Sequence, residues 1–152
     1  MGTYVDWSNV QSQLREELRG NEEYERQAET LIAEAEAEFD AKLGEQYSVP
    51  FTSTQSPTAF AWAQIQISRL VAGRAVRAVE QQLDDEALLW YANDLIEQAE
   101  AEISAAAAGR RYLADASEST TEGGDQVDDG YDDLTDTQQG DISPWFTRGD
   151  EW

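Results

Sequence analysis

The chain has 152 residues, 40% of them hydrophobic, and its 32 acidic and 10 basic residues give a formal net charge of -22 at pH 7. This length predicts one folded domain with a modest core. With no cysteine and no histidine, disulfides, thiol or imidazole catalysis, and ordinary zinc or haem sites are excluded. We therefore expect no enzyme activity, no cofactor and no metal site.

The basic residues are Lys42 and nine arginines, and they form no cluster that could wrap a phosphate backbone. Self-repulsion of the acidic residues is screened over about 10 Å at 0.1 M salt and about 3 Å at 1 M. The composition therefore predicts a halophilic source. No apolar run approaches the roughly 18 residues that span a bilayer, and the N-terminus lacks a basic stretch followed by an apolar core. We expect no membrane contact and no secretion signal.

Two helices are predicted before the first loop. The first covers residues 6–18, begins at a cap on Asp6 or Ser8, carries apolar residues at spacings of four, and stops at Gly20. Asn21 caps the second, which has one apolar face and one glutamate-rich face. Its pattern breaks at Gly44.

A loop follows, with Tyr47, Val49, Pro50 and Phe51 in an extended stretch, because proline disfavours helix in the residue before it. Ser56 as a cap and Pro57 at the first helical position then predict a third helix that runs to about residue 83.

This third helix carries two apolar stripes at 100° per residue. The first contains Phe60, Ala63, Ile67, Leu70, Val71 and Ala78. The second contains Trp62, Ile65, Ala72, Val76 and Val79. The second stripe either completes the core or meets another subunit, and we assign Trp62 and Val76 to a subunit interface.

The fourth helix is capped by Asp84 or Asp85 and ends near Gly109. Its apolar stripe contains Leu88, Leu89, Tyr91, Ala92, Leu95, Ile96, Ala99, Ile103 and Ala106. Trp90 lies off this stripe among acidic residues. It either completes the core or meets another subunit, and we assign it to a subunit interface.

After residue 113 the composition changes to Ser, Thr, Gly and Asp, which cannot bury enough apolar area to fold alone. The chain nevertheless closes with Trp145, Phe146 and Trp152, and aromatic residues on a flexible linker are typical of a segment that docks in a partner's groove. We predict an all-α fold: a small bundle of about four helices over residues 1–113, and a long extended acidic C-terminal tail with an aromatic docking end over residues 114–152.

Several segments resemble the head-tail connector (head-completion adaptor) family of tailed viruses. The first is Ala35-Glu-Ala-Glu-Phe39-Asp-Ala-Lys-Leu43-Gly-Glu-Gln-Tyr47-Ser-Val-Pro50-Phe51. The others are Ser56-Pro57-Thr-Ala-Phe60, Leu89-Trp90-Tyr91 and Gly109-Arg-Arg-Tyr112-Leu113. Their order and spacing are similar to the family's from about Tyr4 to Leu113.

The resemblance implies a virion structural protein at the head-tail junction, made in the host cytoplasm. Its partners would be the portal protein, a tail or stopper protein, and neighbouring copies in a ring, commonly of twelve. DNA would pass through the ring as a repelled cargo. The expected partner-interface residues are Trp62, Val76, Trp90, Tyr112, Leu113, Trp145, Phe146 and Trp152. The expected functional loop contains Tyr47, Val49, Pro50 and Phe51.

Two other interpretations stay open. Regularly spaced carboxylates such as Glu34, Glu36 and Glu38 could imitate phosphates in an acidic DNA mimic that inhibits a basic protein. An enzyme with aspartate-bound metal is the other alternative, for which the sequence offers clustered aspartates. A further cluster, Arg69, Arg74 and Arg77, forms either ion pairs or a small anion site, and ion pairs are favoured.

Overall fold

The computed structural model describes residues 2–119, and this part of the chain is helical with no β-strand. Its elements are α1 (Trp7–Gln13), a 3-10 turn (Glu16–Leu18), α2 (Glu22–Leu43), α3 (Pro57–Leu83) and α4 (Glu86–Ala107). The predicted all-α fold of about four helices is confirmed. Most of the predicted acidic tail, from residue 120 onwards, lies outside the described residues.

α1 is shorter than the predicted helix over residues 6–18. Of the two predicted caps, Asp6 is the one in use, and it forms a capping box with Asn9. It ends early because its last residue and a residue just after it both bond to α4: the Tyr91 hydroxyl donates to the Gln13 carbonyl (3.1 Å), and the Arg15 amide donates to that hydroxyl (3.2 Å). The second half of the predicted helix is therefore wrong, because a tertiary contact takes the backbone groups that would extend it.

The predicted caps of α2 and α4 are confirmed. The Asn21 side chain accepts from the amides of the first turn of α2, and the Asp85 carboxylate accepts from the Leu88 amide in α4. Asp84 closes α3 in the left-handed conformation, with φ of 61°. This residue separates the two helices and reverses the chain direction.

α3 has Pro57 at its first position as predicted, but Ser56 makes no side-chain capping bond. The capping group comes from a residue that follows α4. The Asp115 carboxylate accepts from the Thr58 amide (2.6 Å) and the Ala59 amide (3.0 Å). The backbone amides at the start of α3 thus find their hydrogen-bond acceptor 57 positions away from Thr58 in the sequence.

The folded unit continues past the predicted domain boundary at residue 113. The Ser48 amide donates to the Ser117 carbonyl (2.8 Å), and the Ser119 amide donates to the Gln46 carbonyl (3.0 Å). Together with the Asp115 cap, these bonds hold residues 114–119 against the helical body. The compact unit therefore covers Met1–Ser119.

α3 is the central helix and packs against α1, α2 and α4. Both of its apolar stripes are used in this packing, and buried positions occur on nearly every side of it. α3 and α4 are in close contact at Gly73, where an added Cβ would lie 2.7 Å from the Ala92 carbonyl oxygen and from Cγ1 of Ile96. The core thus forms around one helix that is almost enclosed.

Candidate interaction surfaces

A buried carboxylate holds the N-terminal segment on α2. Glu36 is 7% exposed and accepts three backbone hydrogen bonds: from Thr3 (2.7 Å), Tyr4 (2.7 Å) and Val5 (3.0 Å). A buried carboxylate is stable when hydrogen bonds satisfy its oxygens. Glu36 therefore has a structural role and presents no charge to a partner.

Two tyrosine-carboxylate pairs, one partly buried and one buried, also lie in the body. The Tyr4 hydroxyl donates to Asp40 (2.6 Å) and accepts from the Phe51 amide (2.9 Å), and the Tyr24 hydroxyl donates to Glu80. Burial raises the pKa of Asp40 and of both tyrosines above their usual values. These groups join α2, α3 and the N-terminal segment.

The predicted functional loop is mostly turned inwards. The rings of Tyr47 and Phe51 are buried 6.2 Å apart, and the Tyr47 hydroxyl donates to the Arg111 carbonyl (3.1 Å). Val49 is half-buried and Pro50 is exposed. The loop therefore ties the residues after α4 to the core, and of these four residues only Pro50 is exposed.

Three predicted interface residues are buried within the chain, which corrects their assignment to a subunit contact. Val76 is 0%, Leu113 5% and Trp62 8% exposed. Trp62 is covered by Phe39, at 5.8 Å between ring centroids, and by the Arg111 guanidinium, 5.6 Å from its ring. Because α3 lies between the other helices, most of its second stripe is used inside the fold, and Ile65 is its exposed member.

Two other predicted interface residues are highly exposed. Trp90 near the start of α4 is 72% exposed and Tyr112 beyond its end is 74% exposed. Leu83, the last residue of α3, is 69% exposed beside the same turn as Trp90. Since α4 has 22 residues and rises about 1.5 Å per residue, Trp90 and Tyr112 lie at opposite ends of it. Trp145, Phe146 and Trp152 lie outside the described residues.

One of the three α3 arginines forms the predicted ion pairs. Arg74 lies 2.7 Å from Glu38 and 4.0 Å from Glu100, and Lys42 also contacts Glu38 at 2.8 Å. Hydrogen bonds from Lys42 and then Arg74 hold the pKa of Glu38 below its usual range. Arg77 makes no ion pair with any carboxylate of residues 2–119.

A second group of arginines gathers around the end of α1. Arg69 donates to the Gln13 side chain (3.4 Å), and Arg15 lies over the Tyr91 ring, 4.3 Å from its centroid. Arg19 donates to the Leu14 carbonyl (3.0 Å). Within the described part of the chain these three arginines have no ion-pair partner. Arg77 and Arg110 also lack an ion-pair partner within residues 2–119.

Beside this arginine group lies a groove of about 220 Å³ between α1 and α3, which we call the α1-α3 groove. It is lined by Asn9, Ser12, Gln13, Ala61, Gln64, Ile65 and Ser68. Ile65 is 42% exposed, and the Ser68 hydroxyl is buried with no hydrogen-bond partner. The lining contains no carboxylate, whereas three other grooves of the described body each include Asp6, Glu29 or Glu34.

The α1-α3 groove is smaller than a typical small-molecule site. A groove of this volume is below the roughly 300–1,000 Å³ of small-molecule sites and matches one or two side chains. Residues 2–119 contain no group of three or more acidic side chains placed to hold a metal ion, and none of their helices is long and apolar enough to cross a membrane. No protein-family model, curated protein or solved structure matches the chain.

Proposed function

We propose that this chain is a virion structural protein without catalytic activity: a head-tail connector (adaptor) subunit that forms a ring under the portal. The ring links the portal to the tail and lets DNA pass. The observation that carries the proposal is the exposure of Leu83, Trp90 and Tyr112 on a compact helical frame. Exposed tryptophan and tyrosine are characteristic of protein interfaces, where they contribute much of the binding energy.

Two separated apolar sites suit a ring subunit. Each copy in a ring contacts two neighbours through two different surfaces. Trp90 and Tyr112 occupy opposite ends of α4, so a single small partner cannot cover both. This arrangement favours a subunit with several contacts: neighbouring copies, the portal, and a tail or stopper protein.

The charge of the folded body also supports the proposal. Residues 2–119 carry 22 of the 32 acidic residues and nine of the ten basic ones. An acidic wall repels phosphate, so packaged DNA slides through such a ring without binding to it. Because high salt screens repulsion between copies, we further propose a halophilic virus as the source, with the protein made in the host cytoplasm.

The alternative of a DNA mimic has weaker support from the geometry. Of its three predicted phosphate-imitating carboxylates, Glu36 is buried against the N-terminal segment and Glu38 is paired with Lys42 and Arg74. Only Glu34 is exposed without such a contact. A regular row of free charges does not form at these positions.

The decisive experiment is multi-angle light scattering with negative-stain microscopy in molar salt. The chain is examined alone and mixed with the portal protein of the same virus. A ring, alone or on the portal, is the expected result. A monomer that ignores the portal contradicts the proposal, and capture of a basic protein by that monomer would support the mimic.

A further inference from the structure

The turn between α3 and α4 presents an apolar surface with acidic flanks, which we call the turn patch. It consists of Leu83 at the end of α3, the exposed residues Asp84, Asp85 and Glu86 that follow it, and Trp90 in the second turn of α4. The two apolar side chains are 69% and 72% exposed, and the three acidic residues are also exposed. Asp85 uses one carboxylate oxygen to cap α4, and no ion pair within residues 2–119 involves any of the three.

The α1-α3 groove has the complementary properties. Its lining has no carboxylate and offers amide and hydroxyl groups around the exposed Ile65. Arg69 lies at its edge, bonded to Gln13 of the lining, and Arg15 and Arg19 lie at the same end of α1. The groove therefore suits an apolar side chain flanked by acidic residues.

One copy cannot bring its own turn patch to its own groove. Ile65 and Leu83 lie on the same helix, 18 positions apart, which corresponds to about 27 Å along the axis. A rigid helix holds them at that separation. A contact between the two surfaces must therefore join different copies of the chain.

We infer that the turn patch of one copy docks into the α1-α3 groove of the next, with its carboxylates facing Arg15, Arg19 and Arg69. The inference rests on the proposed function, since it specifies which surfaces join neighbouring copies in the ring. It also explains why three arginines of so acidic a protein have no ion-pair partner within residues 2–119: their partners belong to the neighbour. Each copy has one patch and one groove, so contacts continue from copy to copy until they close.

Two variants remove the two halves of this contact separately. Leu83→Gln with Trp90→Gln removes the apolar part of the patch, and Ile65→Glu places a carboxylate in the groove. All three positions are exposed, so the fold is retained, which circular dichroism verifies. Glu34→Gln is the control, because it changes an exposed residue of α2 outside both surfaces.

Association is measured by light scattering and sedimentation in molar salt, or by occupancy of the portal if copies assemble only there. Each of the two variants alone should associate about thirtyfold more weakly than the parent chain, as expected for loss of an interface tryptophan. The Glu34→Gln control should assemble like the parent. An equimolar mixture of the patch and groove variants should form a two-chain complex and stop there, since one intact patch and one intact groove remain.

Parent-like assembly of both variants overturns this inference while leaving the proposed function intact. Loss of self-association in Tyr112→Gln, with the patch and groove variants assembling like the parent, would place the contact between copies at the other end of α4 instead. A parent chain that neither self-associates nor binds the portal contradicts the proposed function itself.

Discussion

At the scale of single residues, Glu36 shows how tertiary structure reassigns a polar side chain. It belongs to a run of alternating alanine and glutamate that indicates a solvated helix face. In the folded chain its carboxylate is covered by the N-terminal segment and accepts three backbone amides. The net charge of the chain therefore does not show which carboxylates are buried and hydrogen-bonded.

Replacing Glu36 with glutamine should destabilise the body. The amide group keeps one acceptor oxygen and turns a donor towards backbone N–H groups, which leaves buried donors unsatisfied. We expect a loss of about 2 kcal/mol in the free energy of unfolding, measured by urea denaturation. Glu34→Gln, an exposed change two residues away on α2, should stay within about 0.5 kcal/mol. Equal effects of the two changes would contradict the structural role of Glu36.

The ion pairs of Glu38 predict a pH-dependent contribution to stability. Because its pKa is lowered in the folded state, the contribution is present above the ordinary glutamate pKa of about 4.3. It is lost as the pH falls through the lower folded-state pKa. We expect Glu38→Gln to cost about 0.5–1 kcal/mol at pH 7, since the pair is partly exposed. Unfolding at a series of pH values should show this difference vanishing in acid, and a constant difference would contradict the assignment.

At the scale of the elements, the start of α3 depends on a residue after α4. Asp115→Ala should cost about 1 kcal/mol, because it leaves the Thr58 and Ala59 amides without their acceptor. Ser56→Ala, at the position the sequence favours as the cap, should have little effect, since Ser56 makes no capping bond. Thermal unfolding of the two variants shows which of them loses more stability. A larger loss in Ser56→Ala would show that the local cap is the one in use.

The contact between α3 and α4 depends on the absence of a side chain at residue 73. In an exposed helix, Gly→Ala is stabilising by up to about 1 kcal/mol. Here the added methyl group overlaps Ala92 and Ile96, so we expect Gly73→Ala to destabilise by about 1–3 kcal/mol. Denaturant unfolding measures this change. Gly20→Ala, with no neighbouring atom within 4 Å, is the control, and stabilisation by Gly73→Ala would show that the helices separate easily.

At the scale of the whole molecule, the net charge of -22 opposes compaction. Raising the salt from about 0.1 M to 1 M shortens the screening length from about 10 Å to about 3 Å. We expect a rise of at least about 5 °C in Tm between these conditions, corresponding to roughly 1 kcal/mol, with helix content followed by far-ultraviolet circular dichroism. Sodium and potassium chloride should act alike, because screening depends on ionic strength. A flat response would contradict salt adaptation.

Local patterns predicted much of this fold. Asn21, Pro57 and Asp85 mark helix starts, and Gly44 follows the end of α2. Capping and periodicity act within a few residues, so these boundaries can be read from neighbouring positions. The exposure of Trp90 was also readable, because it lies off the apolar stripe of α4.

The sequence predictions were wrong where residues far apart in the chain interact. The sequence favoured Ser56 as the cap of α3, but Asp115 supplies it, and Tyr91 ends α1 earlier than its apolar spacing indicated. Trp62 and Val76 were assigned to an interface because a stripe shows which side of a helix is apolar, not what covers it.

The sequence by itself therefore determined the helical class, the bounds of α2 to α4 and the acidic character of the protein, since propensity, capping and charge are local properties. Only the tertiary structure decided what covers the apolar stripes of α3, which carboxylates are enclosed and which arginines lack a partner within the described residues. Those outcomes depend on packing between α1, α3 and α4 across tens of residues. The same packing leaves the turn patch and the α1-α3 groove exposed, so the tertiary structure determines these two surfaces as well.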